Sequence, residues 1–199
     1  MDLKNKIVKK KAKVGVIGLG YVGLRILVDP YYLAWFARAY DFHTNFIELA
    51  AETNEAMPFY VVNLILREIS KIPKKLEDVK ILFLGVAFKK NVDDTRLSPA
   101  LKIMEILIRE GVRNIFYNDP FIPEVSLNGA KFKSIELTDE NLRSFDLVVI
   151  TTDHSAYDFD FIARNSRIII DIRNATRKVK NSVAKIVKLG GGNYNQKQI

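Results

Sequence analysis

Cysteine is absent from this 199-residue chain, which excludes disulfides, thiolate metal sites and any covalent mechanism through sulfur. Histidine is nearly absent. His43 and His154 lie far apart in the sequence beside ordinary loop residues, so no metal site is expected and both read as structural or surface residues. Long apolar runs are missing too. The lysine-preceded stretch 14–28 has the outline of a signal peptide, but Arg25 and four glycines interrupt it and no small-residue cleavage site follows. It also falls short of the roughly 20 apolar residues a membrane span needs. The expectation is a cytoplasmic protein with no membrane partner.

What is present is ordinary for a globular protein: 48% hydrophobic and 27% charged residues, well away from the composition of disordered chains. The length allows one good-sized domain or two small ones. The formal charge of +8 is concentrated locally, because Lys4, Lys6, Lys9, Lys10, Lys11 and Lys13 crowd the N-terminus. Such a run reads first as a solvated leader and only in the minority case as a nucleic-acid arm. An anionic small ligand accounts for the remaining charge equally well.

Residues 14–17 form a short apolar strand leading into Gly18-Leu19-Gly20-Tyr21-Val22-Gly23. This is the setting of a dinucleotide fingerprint: strand, tight turn, then a helix whose first amides face a pyrophosphate. A complete domain then needs a second strand ending in an acidic residue about 20 positions on. None follows. From Tyr31 the pattern is helical, with Tyr32, Leu33, Trp35 and Phe36 on one face, and it is helical again over residues 45–70, with Pro58 as a kink or restart. The second helix is apolar on many sides. A homodimer through residues 45–70 would cover it; packing on the C-terminal domain is the alternative.

Residues 79–189 read as a doubly wound parallel α/β unit. The expected elements are strands at 79–84, 114–117, 147–151 and 167–171, an edge strand at 131–135, helices at 99–109 and 179–189, and a helical turn at 139–144. Gly111 stops the first helix, and the polar tail after Gly192 reads as mobile. Ligands bind outside the carboxyl ends of such strands, which singles out loops 87–98, 119–124 and 171–174. The first carries Phe88, Lys89, Lys90 and Arg96 ahead of an N-cap at Ser98 and Pro99. Those groups suit a nucleoside diphosphate, the cations on phosphate and Phe88 on a sugar or base. A polar loop shaped by an Asp94–Arg96 pair fits the composition as well. Arg173 is a second candidate anion ligand.

Leu84-Gly85-Val86-Ala87-Phe88-Lys89, Asp93-Asp94-Thr95-Arg96-Leu97-Ser98-Pro99-Ala100 and Asn118-Asp119-Pro120 resemble the C-terminal domain of the UDP-glucose/GDP-mannose dehydrogenase family. Val28-Asp29-Pro30-Tyr31-Tyr32-Leu33, Phe46-Ile47-Glu48-Leu49-Ala50 and Met57-Pro58 resemble its central helical segment, and residues 14–24 the start of its NAD domain. The Asp-Pro-Tyr-Tyr-Leu form is closest to the branch oxidising UDP-N-acetylhexosamines.

The resemblance implies an oxidoreductase that uses NAD to oxidise a sugar alcohol twice, through a thioester on a cysteine four residues before an aspartate. Asp29 matches that catalytic aspartate. Arg25 stands at the cysteine position, and a guanidinium that stays protonated is no nucleophile. Gly18, Gly20, Gly23 and Arg96 match cofactor-side residues, and Phe88, Lys89 and Arg173 match residues contacting the UDP-sugar. Gly23 and Asp29 are nearly adjacent here, where the family has most of its NAD domain, so a deletion of about 150 residues or more is inferred. A gene remnant, an assembly artefact and an engineered deletion look alike in the sequence. The expected organisation is an NAD-domain remnant at 1–28, a helical dimerisation segment at 29–72, a UDP-sugar domain at 73–189 and a tail at 190–199.

Overall fold

The computed structural model describes residues 30–190. The strand at 14–17, Gly18, Gly20, Gly23, Arg25 and Asp29, and the tail beyond Gly190 lie outside the described residues. The chain divides into two compact units between Ala56 and Met57.

In the first unit, helix α1 (Pro30–Arg38) is followed by a turn and the start of α2 (Asn45–Ile69). The carbonyl of the buried Thr44 accepts the Ile47 and Glu48 amides and so starts α2. Arg38 reaches across to Glu48 at 2.9 Å. Helix α2 runs unbroken through Pro58, whose missing amide removes one backbone bond without ending the helix.

The second unit is built on a five-stranded sheet of β1 (Lys80–Leu84), β2 (Asn114–Asn118), β5 (Leu147–Ile150), β6 (Ile168–Asp171) and β7 (Lys185–Lys188), in the order β2-β1-β5-β6-β7. Every pairing in it is parallel. Side chains alternate across the sheet. Ile81 and Phe83 of β1 point into one core with Val61, Val62 and Ile65 from the second half of α2 and Ile103, Met104 and Leu107 from α3 (Pro99–Arg109). Leu82 and Leu84 point into the other, with Leu142 from α4 (Asp139–Ser144) and Ile162 from α5 (Phe159–Asn165). Helices on both faces explain the continuous apolar runs of β1, β5 and β6, because each strand has no wet side. The fold is therefore the α/β parallel sheet expected.

Three elements differ from expectation. Residues 179–189 hold no helix. After a 3-10 turn at Ala175–Lys178 the chain becomes β7 and pairs with β6. Lys-Ile-Val-Lys puts two β-branched residues beside an open edge, and that preference outweighs an apolar spacing that also suits a helix. The expected edge strand at 131–135 is instead β4 (Ala130–Lys133), which forms an antiparallel hairpin with β3 (Glu124–Leu127). The turn is Asn128-Gly129 with φ of 51° and 79°, the left-handed pair that a two-residue hairpin requires. Beyond the bridge between Tyr117 and Ser134, the hairpin packs on the main sheet through Val125 and Phe132, and the Tyr117 hydroxyl reaches Phe132 O at 3.5 Å. Helix α5 had no counterpart in the sequence reading; Asp158 caps it by accepting the Phe161 amide.

Candidate functional site

Strand order reverses between β1 and β5, since β1 leads outward to β2 while β5 leads to β6 on the other side. Loops at the carboxyl ends of strands flanking such a reversal form the ligand crevice of doubly wound sheets. Here the backbones are brought into contact. Gly85 has φ of 81°, and a Cβ built on it would lie 2.5 Å from Thr152 Cβ, so only glycine fits. Thr151 and Thr152 follow β5 and donate their amides to Leu84 O at 2.9 and 3.0 Å. The Thr152 hydroxyl continues to Ala87 O at 2.7 Å. Ser98 occupies the N-cap position of α3, but its hydroxyl crosses to Val86 O at 2.7 Å and makes no capping bond. The first turn of the loop after β1 is thus fixed on every side.

Asp119, at the end of β2, is the hub of this edge. It is 3% exposed. Oδ2 accepts the amides of Val86 and Ala87 at 2.7 and 2.9 Å and His154 Nε2 at 3.1 Å. Oδ1 accepts the amides of Phe121 and Ile122 at 2.9 and 3.2 Å. Burial pushes this carboxyl up, but the His154 bond and the Phe121 and Ala87 amides outweigh it and hold it below the usual aspartate range. Asp171, at the end of β6, is buried in the same manner and accepts the amides of Arg173, Ala175 and Thr176 and the Thr176 hydroxyl.

Around these anchors stand the candidate ligand-binding side chains. Phe88 and Lys89 follow β1 and are half-buried. Arg173 follows β6 and places Nε 3.3 Å from Asp153 Oδ1, while Lys90 approaches Asp153 Oδ2 at 3.9 Å. Asp153 therefore draws cations from loops on either side of β5 to one point. Arg96 is turned back onto Asp94 through two bonds of 3.0 Å, with the guanidinium largely exposed. That is the loop-shaping pair that composition alone also allowed. A cleft of about 380 Å³ opens beside it, lined by Asp93, Thr95, Leu101, Phe121 and the start of β3.

Two residues here have more to do than their sequence context suggests. His43 is exposed, as a surface residue should be, whereas His154 is fully buried between Asp119 and the Asn91 amide. Asp153 was not singled out at all. The only signal was position: both lie in the polar stretch directly after a fully buried strand, at the edge where loops 87–98 and 171–174 were already marked.

Residues 82–178 match the UDP-glucose/GDP-mannose dehydrogenase family, UDP binding domain. Those residues are thus a UDP-binding domain of that family. It is 31% identical over 199 residues to a UDP-N-acetyl-D-mannosamine dehydrogenase of Methanococcus vannielii, covering 94% of this chain and 44% of that protein. Its identity to the Pyrococcus horikoshii protein of the same name is 34% over 173 residues, covering 84% and 38%. The solved structure of UDP-D-ManNAc dehydrogenase from Pyrococcus horikoshii superposes with a TM-score of 0.63 at 26% identity, over 93% of this chain and 43% of that one. A UDP-glucose dehydrogenase from Pyrobaculum islandicum shares the fold at a TM-score of 0.58 and 20% identity, over 86% and 38%. The chain spans less than half the length of these relatives. Among the described residues no helix is long and apolar enough to cross a membrane.

Proposed function

We propose that this chain binds UDP or a UDP-N-acetylhexosamine at the carboxyl edge of its sheet and does not turn over as a dehydrogenase. The observation that carries the reading is the meeting of Lys90 and Arg173 at Asp153 beside the strand-order reversal, inside a domain matched to a UDP-binding one. A diphosphate outcompetes a single partly exposed carboxylate for those cations, since it offers several strong acceptors to one guanidinium and one ammonium. In this reading Lys89 and Arg173 neutralise the phosphates and Phe88 packs on the sugar or base. Calorimetric titration is the test. Weak heat with UDP or a UDP-N-acetylhexosamine is expected, and none at millimolar ligand with folded protein overturns the reading.

The family resemblance also assigns NAD, which supplies hydride acceptance where it is bound. Gly18, Gly20, Gly23 and Asp29 lie outside the described residues, and Arg96 is engaged by Asp94. Arg25 at the cysteine position cannot attack an aldehyde carbon, so no covalent second oxidation is available. Absence of NADH formation from NAD and a UDP-N-acetylhexosamine is expected, and its appearance overturns the inactive reading. The organisation proposed is a cytoplasmic homodimer. In the first unit Phe46 and Leu49 of α2 stand 66% and 60% exposed, and a second copy would cover them. The same exposed pair supports a second reading, a non-enzymatic module that pairs with an intact dehydrogenase. A monomer by sedimentation that never co-purifies with such an enzyme removes both the dimer and the module.

A further inference from the structure

Asn91 directly follows Lys89 and Lys90, and it is fastened to the loop after β5 at three points. Its amide donates to His154 Nδ1 at 2.9 Å, its Nδ2 donates to Ser155 Oγ at 3.0 Å, and its Oδ1 accepts the Ser155 amide at 2.9 Å. Asn91 sits at φ of 59°, a left-handed conformation that asparagine tolerates better than most residues. Residue type, backbone and side chain therefore serve the same contact. A backbone N–H only donates, so Nδ1 of His154 is the acceptor and the ring proton sits on Nε2, facing Asp119 Oδ2 at 3.1 Å. The imidazole is packed between the rings of Phe121 and Tyr157, with centroids at 5.0 and 5.6 Å.

We propose that His154 is a positioning residue of the anion site: its Nδ1 accepts the Asn91 amide and so holds the backbone that presents Phe88, Lys89 and Lys90. This rests on the UDP-sugar reading of that edge. The loop after β1 is tied at its start by Asp119 and Thr152 and at its far end by Ser98. Between those anchors, the Asn91 contacts fix the stretch carrying the cations. Ordering that stretch in advance removes an entropy cost that would otherwise fall on ligand binding.

Three substitutions separate this role from a merely structural one. His154→Phe keeps a ring between Phe121 and Tyr157 but removes both nitrogens. His154→Gln keeps a donor near Nε2 for Asp119 and loses the acceptor for Asn91. His154→Asn places an acceptor near Nδ1 for the Asn91 amide and leaves Asp119 short of one donor. On the full chain, UDP titration is combined with melting temperature and amide exchange at Asn91. Affinity about tenfold weaker is expected for the Phe and Gln variants, the cost of ordering one or two more side chains on binding. The Asn variant is expected to restore both UDP affinity and Asn91 protection even where its melting temperature falls as far as the others. Affinities that track melting temperature across the series, or that do not change, overturn the positioning role alone. Failure of the unsubstituted chain to bind UDP overturns the site reading and this role with it.

Discussion

At the amino-terminal ends of the strands Asp146 and Glu68 are buried against lysine and arginine side chains, whereas at the carboxyl ends Asp119 and Asp171 are buried against backbone amides, a threonine hydroxyl and an imidazole. Asp146 takes Lys74 at 2.7 Å, the Lys80 amide at 3.0 Å and Arg167 at 3.7 Å. Glu68 takes Lys185 at 2.6 Å and also bonds Lys71. Both solutions satisfy a buried carboxylate, but they use the cations differently. One end uses them as structure. At the other, among the described residues Lys90 and Arg173 pair only with the partly exposed Asp153, so positive charge stays at the surface where a doubly wound sheet binds ligands. Cations paired to buried carboxylates and cations left near the surface are thus divided between the two ends of one sheet.

Removing the hub breaks this arrangement most severely. Asp119→Ala leaves the Val86, Ala87, Phe121 and Ile122 amides and His154 Nε2 without their acceptor. The expected loss is roughly 3–5 kcal/mol of unfolding free energy in urea; a midpoint unchanged from the parent would show that other groups organise the edge. Gly85→Ala comes next. Its Cβ meets Thr152 at 2.5 Å in a left-handed backbone, and overpacking plus backbone strain should cost about 3 kcal/mol. A drop of under about 1 kcal/mol in the same assay would mean that the two loops separate freely.

These elements differ in how far the sequence discloses them. Helix α3 was legible at both ends because Ser98, Pro99 and Gly111 punctuate an amphipathic run, and β1 because every residue after Lys80 is apolar. The α/β class followed from their alternation. Strand β7 was not legible, since Ile186 and Val187 fit either period until β6 supplies an edge. Phe88, Lys89 and Arg173 stand out as candidates in the sequence because cations and an aromatic at strand ends suit phosphate chemistry, and the structure places them after β1 and β6 at one edge of the sheet. His154 could not, because a lone histidine after Thr-Thr-Asp carries no sign of the Asp119 and Asn91 it meets 35 and 63 residues away in sequence.

The amino-terminal end responds to acid. Burial alone would raise Asp146 and Glu68; Lys74 on the one and Lys185 and Lys71 on the other more than offset it and hold both carboxyls below their ordinary values of 3.8 and 4.5. A carboxyl lowered on folding stabilises fully above its unfolded value, and that contribution disappears as pH falls through the folded one. Stability should therefore decline from about pH 4.5 downward, as read by melting temperature across pH. Lys74→Met should reduce that slope and cost about 1–2 kcal/mol near neutrality, a figure lowered because the lysine is 40% exposed. UDP affinity should not move. If it falls with stability, the two ends are not separate.

The mirror experiment is Arg173→Met, which has the smallest expected effect on the fold. Its guanidinium is about half exposed and, among the described residues, its side chain meets only Asp153, while the Asp171 anchor is made by the Arg173 amide and survives the substitution. Melting temperature should change by no more than an exposed ion pair allows, about 0–1 kcal/mol. UDP affinity should fall about tenfold, equivalent to ~1.4 kcal/mol, because one charge-assisted partner of the diphosphate is lost while the loop keeps its shape. Paired with Lys74→Met, the substitution gives opposite outcomes at opposite ends of the sheet: stability without affinity in one variant, affinity without stability in the other. If Arg173→Met lowers stability by as much as Lys74→Met, the carboxyl-end arginine is structural too, and the division of charge between the two ends fails.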